Sequence, residues 1–304
     1  MISILIPFHN EEKNLPILYK DLLSVLTGIS YEIIFIDDGS EDNSSLNVKA
    51  QISTQKGEKI KLIRHPVRLG KGKALLSGFK ESIGDTIIFM DGDLQDDPTD
   101  IKKFLNKIDQ GADLVNGWRK TRKDKLDKTL PSKILNKFLT KILFSTSLHD
   151  INCGFKAMRR RLLEQIPLYG DNYRFIPILA EKKGFSVREV EVNHRPRKYG
   201  QSKYNFVRLF FGFIDALNIY FISRFSERPL HFFSIIGGLF FAIGFIIAGC
   251  LSYQRIFYGV FLYRRPALLF AILLIIVGLQ IILTGIVAEL IVYLHNKRPT
   301  NTRG

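Results

Sequence analysis

Ile87-Ile88-Phe89-Met90-Asp91-Gly92-Asp93-Leu94-Gln95-Asp96-Asp97-Pro98 is the stretch whose reading decides the fold. An apolar run that stops at two carboxylates spaced Asp-x-Asp reads as a buried strand ending at a sheet edge. There, hard oxygen ligands meet the place where a divalent cation and a phosphate can come together. Working outward, residues 2–6, 32–36, 59–63, 86–90 and 113–115 read as strands, and helical stretches begin near Asn10, Asn43, Lys71 and Pro98. This alternation of continuous apolar strands with helices predicts an α/β domain with a mostly parallel sheet covered on both faces. Ligands of such sheets bind at the carboxyl ends of strands. Here those ends are residues 7–11, Asp37-Asp38-Gly39-Ser40, residues 64–72 and the Asp91 cluster, so separate segments bring polar groups to one edge.

Each segment has a chemical use. Asp37 and Asp38 suit the imide and amino edges of a nucleobase or ribose hydroxyls, while Gly39 and Ser40 let the chain turn into the next helix. A plain strand-ending turn with Asp42 or Asn43 as helix cap explains the same residues. Arg68-Leu69-Gly70-Lys71-Gly72-Lys73 joins glycines and cations just before a helix, a natural contact for a diphosphate. It is not a P-loop, because the Gly-Lys-Ser/Thr ending is missing.

The chain has 304 residues, 46% of them hydrophobic, and a formal net charge of +15. Residues 229–254 and 266–288 contain no Asp, Glu, Lys or Arg, and each run exceeds the roughly 20 residues that cross a bilayer as a helix. Two C-terminal transmembrane helices are expected, with spans at about 229–254 and 266–290. Lys203, Arg208, Arg224 and Arg228 before the first span, and Lys297, Arg298 and Arg303 after the second, place both ends on the cytoplasmic side. Arg255, Arg264 and Arg265 in the intervening loop act against that orientation. No secretory leader is read in residues 1–7, which lack a basic start and meet Pro7 at once. With two spans, the basic excess points to anionic membrane lipids rather than nucleic acid. Cys153 and Cys250 form neither a disulfide framework nor a metal spacing. Between Lys203 and Arg228, Phe206, Leu209, Phe210, Phe213, Leu217, Tyr220 and Phe221 recur at spacings of three and four, as in helices lying in the bilayer interface.

Pro7 and Glu11, Asp37-Asp38-Gly39-Ser40, Gly70-Lys71-Gly72 and Asp91-Gly92-Asp93-Leu94-Gln95, in this order and spacing, resemble family 2 glycosyltransferases of the GT-A fold. The Asp-Leu-Gln ending narrows the resemblance to the polyprenyl-phosphate sugar transferase and dolichyl-phosphate mannosyltransferase group. That resemblance implies a Mg²⁺ or Mn²⁺ ion on Asp91, Asp93 and Gln95, and nucleotide contacts at Pro7, Glu11, Asp37 and Asp38. It further implies that Arg119, Lys128 and Ser132 meet a lipid phosphate, with Lys128 standing where the family often has Arg and so lacking the bidentate fork. His149-Asp150-Ile151-Asn152-Cys153-Gly154-Phe155-Lys156 is similar to the segment that closes under the sugar, and residues 173–177 to a helix start beside it. His194-Arg195-Pro196-Arg197 to Gly200-Gln201-Ser202-Lys203 resembles a phosphate-clamping segment, in which Arg197, Ser202 and Lys203 suit an anion.

The implied organisation is a cytoplasmic GT-A (Rossmann-like) catalytic domain at 1–202, amphipathic interfacial helices at 203–228, a transmembrane hairpin at 229–296 and a tail at 297–304. The implied reaction is inverting transfer of a hexosyl group from a nucleotide diphosphate sugar to a polyprenyl monophosphate, undecaprenyl or dolichyl. UDP-glucose, a UDP-amino sugar and GDP-mannose all remain open as donors, and a homo-oligomer is compatible with the resemblance. The acceptor phosphate, largely ionised at neutral pH, needs no strong general base. Asp150 is then open to three roles: orienting sugar hydroxyls, assisting the nucleophile, or pairing with a cation. A processive polysaccharide synthase would carry a Gln-x-x-Arg-Trp element, which is missing; the single Trp, Trp118, stands in Gly-Trp-Arg. A non-catalytic lipid-binding scaffold on the same fold would be expected to lose a metal acid or the phosphate clamp, and both are present.

Overall fold

A computed structural model describes residues 1–54, 59–120, 144, 146–166, 168, 170, 172–196, 217–218, 220–221, 224–225, 228–259, 261 and 266–297. The chain divides into two compact units, Met1–Tyr220 and Phe221–Gly304.

In the first unit, β1 (Ile2–Phe8), α1 (Leu15–Val25), β2 (Tyr31–Asp37), α2 (Ser44–Thr54), β3 (Ile60–Arg64), α3 (Lys71–Glu81) and β4 (Thr86–Phe89) alternate as the apolar pattern predicts. A short 3₁₀ turn at Pro98–Asp100 leads into α4 (Ile101–Asp109), followed by β5 (Leu114–Trp118) and β6 (Lys156–Arg159). The remaining elements are α5 (Arg160–Gln165), α6 (Ile176–Lys182) and β7 (Val187–Glu191). Among the described residues the seven strands form one sheet in the order β3-β2-β1-β4-β6-β5-β7.

Strand alternation sends successive side chains to opposite faces. Ile4, Ile6, Ile33 and Phe35 join one core with Leu18 and Leu22 of α1 and Phe104 of α4. Leu5, Ile34 and Ile36 join the other with Leu75 of α3 and Ile176 of α6. Both faces are therefore apolar, which is why the strands read as continuous runs.

The pairing directions decide where the polar groups go. β1 is parallel to β2 and to β4, and β2 to β3, so their carboxyl ends lie on one edge. β6 is antiparallel to β4 and to β5, whereas β5 and β7 are parallel. The amino end of β6 and the carboxyl ends of β5 and β7 consequently reach that same edge. β6 and β7 were not foreseen from sequence, and β5 extends to Trp118 where only residues 113–115 had been expected.

The second unit holds α7 (Pro229–Tyr258) and α8 (Pro266–Lys297), both long and apolar enough to cross a membrane. They pack antiparallel through glycines. A Cβ on Gly237 would stand 2.6 Å from Gly278 O, and one on Gly244 would stand 2.8 Å from Ala271 O. Close backbone approach of this kind lets helices associate by van der Waals contact. Glu289 accepts the Leu230 N–H at 3.1 Å, satisfying one of the orphan amides at the start of α7. The outward residues are apolar and exposed, Ile256 and Leu269 each at 73%.

Candidate active site

The edge is assembled from β4 outward. After Phe89 the chain continues beside β1 through Met90 N–H to Leu5 O at 3.2 Å and delivers Asp91 and Asp93, both half-buried. Between Asp93 and Gln95, buried Leu94 takes a φ of 65°. That left-handed conformation costs an L residue about 1 kcal/mol and makes the turn there. Asp93 accepts the Gln95 N–H at 3.1 Å, and Gln95 Nε2 lies 3.3 Å from His194 Nε2. The segment after β7 is tied alongside by Arg195 N–H to Gln95 O at 2.9 Å, and by the Arg195 guanidinium to Asp21 at 2.9 Å and Asp97 at 2.8 Å. Asp96, buried behind the turn, accepts the Asp91 N–H at 3.1 Å. Burial and the neighbouring Asp91 carboxylate push its pKa up to about 7.

Lys71, the first residue of α3, forms an ion pair with Asp91. Burial opposes its charge, but Asp91 and Tyr173 outweigh that and hold its pKa above the ordinary lysine value. Lys71 is placed by the loop before it. Asp38 accepts the backbone N–H groups of Leu69 at 2.8 Å and Gly70 at 2.9 Å, and His65 Nδ1 lies 3.2 Å from it. His65 in turn has Nε2 3.0 Å from Ser77 Oγ on α3. Gly39 is required here. Its φ is 71°, and a Cβ would stand 2.6 Å from Arg68 N.

Asp37 and Asp38, read from the sequence as nucleotide contacts, have hydrogen-bond partners within the chain. Asp37 has no exposed surface; it accepts Ser40 N–H at 2.7 Å and the Ser45 hydroxyl, and pairs with Arg64 at 3.4 Å. Asp37 shapes the turn into α2, and Asp38 the loop that presents the α3 amino end. Pro7 is buried in β1, and Glu11 lies beside this region with its N–H on Ser44 Oγ at 2.9 Å and its carboxylate accepting from Asn14.

The other side of the edge comes from β5 and the segment before β6. Arg119 grips Asp150 with two parallel hydrogen bonds, Nε at 2.7 Å and Nη2 at 3.1 Å. Burial opposes the guanidinium charge and Asp150 more than restores it, so its pKa is raised. Of the roles left open for Asp150, the structure therefore shows the ion pair. Glu189 of β7, which sequence reasoning missed, accepts from His149 N–H at 2.8 Å, His149 Nδ1 at 2.9 Å and Asp150 N–H at 3.1 Å. The His149 ring stacks on Trp118 with centroids 4.1 Å apart. Lys128, Ser132, Arg197, Ser202 and Lys203 lie outside the described residues.

Two observations test whether a divalent cation fits. A Cβ on Gly154 would stand 3.0 Å from Asp91 Oδ2 and 3.1 Å from Lys71 Nζ, so the missing side chain leaves a cradle over the acid. The donor set of two carboxylates and an amide is all hard oxygen, the chemistry of Mg²⁺ and Mn²⁺. Among the described residues no three His, Cys, Asp or Glu side chains group for a metal, so such a set relies on the Gln95 amide.

Residues 3–167 match glycosyl transferase family 2, and the chain belongs to that family. It is 33% identical over 298 residues to the undecaprenyl-phosphate 4-deoxy-4-formamido-L-arabinose transferase of Photorhabdus laumondii, covering 97% of this chain and 90% of the relative. It is 31% identical over 296 residues to the dodecaprenyl-phosphate galacturonate synthase of Rhizobium johnstonii, covering 95% and 87%. Its fold is shared with glucosyl-3-phosphoglycerate synthase of Mycobacterium tuberculosis, solved with Mn²⁺ and UDP-glucose, at a TM-score of 0.57 and 20% identity over 72% of this chain and 78% of that one.

Proposed function

We infer that the protein is a membrane-bound, inverting glycosyltransferase that moves a hexosyl group from a nucleoside diphosphate sugar to a polyprenyl monophosphate. The observation that carries this reading is the meeting, on one sheet edge, of an open acid pair with Lys71 and of the Arg119–Asp150 pair. Relatives named for undecaprenyl- and dodecaprenyl-phosphate products match nearly the whole chain, the two long apolar helices included. The catalytic unit is assigned to residues 1–202 on the cytoplasmic face, 203–228 to the interface, 229–296 to the membrane hairpin and 297–304 to a cytoplasmic tail, in keeping with the basic residues that flank the spans.

Asp91, Asp93 and Gln95 would hold Mg²⁺ or Mn²⁺, whose chemistry there is to neutralise the donor diphosphate as the nucleotide leaves. Lys71, already beside Asp91, adds a cation for the same diphosphate. Pro7, Glu11 and the turns built by Asp37 and Asp38 line the nucleotide side. On the opposite side Arg119, with Ser132, Arg197, Ser202 and Lys203 assigned from the family resemblance, holds the acceptor phosphate. Donor and acceptor are both anionic, so the residues' main work is to hold like charges together in reacting geometry. Asp150 orients Arg119.

The test is transfer of radiolabelled sugar into a lipid phase by the full-length protein in detergent, with undecaprenyl phosphate, Mg²⁺ or Mn²⁺, and a donor panel led by UDP-glucose and GDP-mannose. Label in lipid from one donor, lost on adding EDTA, is expected. Nucleotide binding without lipid label from any donor would overturn the reading.

A further inference from the structure

Lys156 opens β6 and is fully buried. Its ammonium donates to Asn116 Oδ1 at 2.6 Å, to Ile151 O at 3.1 Å and to Cys153 O. Three donors thus meet three oxygens, and none of the three is a carboxylate. A charge taken from water without a bonded counterion is expensive, and a methionine would fill the space without that penalty. What the ammonium supplies is a fixed shape for the chain around it.

That chain is the loop at residues 150–154, which spans the two halves of the site. It begins at Asp150, gripped by Arg119, and ends at Gly154, whose absent side chain faces Asp91 and Lys71. Lys156 holds it at Ile151 and Cys153 directly. It also holds it through Asn116, which accepts from Lys156 and donates from Nδ2 to Asp150 O at 2.8 Å. The strand register adds to this, since Lys156 pairs with Phe89 of β4 on one side and Asn116 of β5 on the other.

We propose that Lys156 is a positioning residue for sugar transfer: its three hydrogen bonds fix the 150–154 loop and thereby the spacing between the Arg119–Asp150 pair and the Lys71–Asp91 edge. The inference rests on the reading of those two pairs given under the proposed function. Burial pulls the Lys156 pKa down to about 8; Cys153 and Asp150 act to raise it, and Arg119 and Lys71 to lower it. The charged form that holds all three oxygens prevails below about pH 8 and is lost as pH rises through it.

The test uses the full-length protein in detergent and the lipid-transfer assay, with Lys156→Met, Lys156→Arg and Asp93→Ala. Trp118 is the chain's single tryptophan and stacks on His149 at the head of the loop, so its emission reports the loop's position. Lys156→Met is expected to lower kcat about 100-fold through misplacement of the reacting groups, with donor KM little changed and Trp118 emission shifted. In the native enzyme kcat is expected to fall above about pH 8, and Lys156→Arg, charged throughout, removes that alkaline limb. Native kcat in Lys156→Met, or the same alkaline limb in Lys156→Arg, would overturn the proposal. If Lys156→Met does not fold, the pH comparison decides alone. An inactive Asp93→Ala beside a fully active Lys156→Met rejects only the role of Lys156, whereas an active Asp93→Ala rejects the reading of the site.

Discussion

Lys71–Asp91 and Arg119–Asp150 are both cation–carboxylate pairs at one sheet edge, yet 38% of the Asp91 side chain is open to solvent against 6% of Asp150. The first pair is a single ammonium on a carboxylate beneath the space left by Gly154. The second is a guanidinium fork closed on both oxygens, with the Asp150 backbone held by Glu189 and Asn116. An open pair can exchange its partner for a cation and a phosphate; a closed one would leave a charge buried and alone. Exposure and bond count therefore separate the carboxylate proposed to bind a ligand from the one proposed to hold the scaffold, although the sequence presents both as an aspartate in a polar loop.

Four substitutions break or sharpen this contrast. The largest effect on catalysis is expected on the open side, where Asp93→Ala lowers label transfer about 1,000-fold by removing a charge-stabilising ligand. Its melting curve should shift by no more than about 1.5 kcal/mol, the worth of the Gln95 N–H bond that Asp93 accepts. On the closed side the order reverses, and stability suffers first. Arg119→Ala is expected to cost about 3–5 kcal/mol, read from the denaturant midpoint, because Asp150 stays buried without its cation. Asp38→Asn is next. Turning an acceptor oxygen into a donor toward the Leu69 and Gly70 amides should cost about 1–3 kcal/mol and weaken nucleotide affinity through displacement of Lys71. Glu189→Gln, which keeps one acceptor oxygen for the 149–150 backbone, is the mildest at about 0.5–1.5 kcal/mol by thermal melt.

The parts legible in the sequence are those where local pattern and tertiary role coincide. β1, β2 and β4 are buried on both faces, so apolar continuity marks them, and the acids at their ends stand out because the runs stop there. The charge-free stretches of α7 and α8 are legible for the same reason, as composition alone carries the signal. β6 and β7 were missed because each is short and carries charged residues, Lys-Ala-Met-Arg and Val-Arg-Glu-Val-Glu, that a buried-strand pattern excludes. Lys156 illustrates the limit: a basic residue opening a buried strand makes sense only once Asn116, 40 positions away, supplies an acceptor. Asp37 and Asp38 show the converse. Their motif was visible, but no spacing rule says which partners a carboxylate finds within the chain, and here Asp37 accepts from its own turn while Asp38 reaches the Leu69 and Gly70 amides. Glu189 was equally hidden, since its partners at His149 and Asp150 lie 40 and 39 positions away.

The most direct test of the contrast between the two pairs is Mn²⁺ binding, read as loss of the free-ion paramagnetic resonance signal, in the presence of UDP and separately of GDP. Native protein, Asp91→Ala and Asp150→Asn would be compared under identical conditions. Mn²⁺ uptake lost in Asp91→Ala and retained in Asp150→Asn is the predicted result. Native uptake by Asp91→Ala, or loss of uptake in a folded Asp150→Asn, would contradict the assignment of Asp91 to the donor side and of Asp150 to the scaffold.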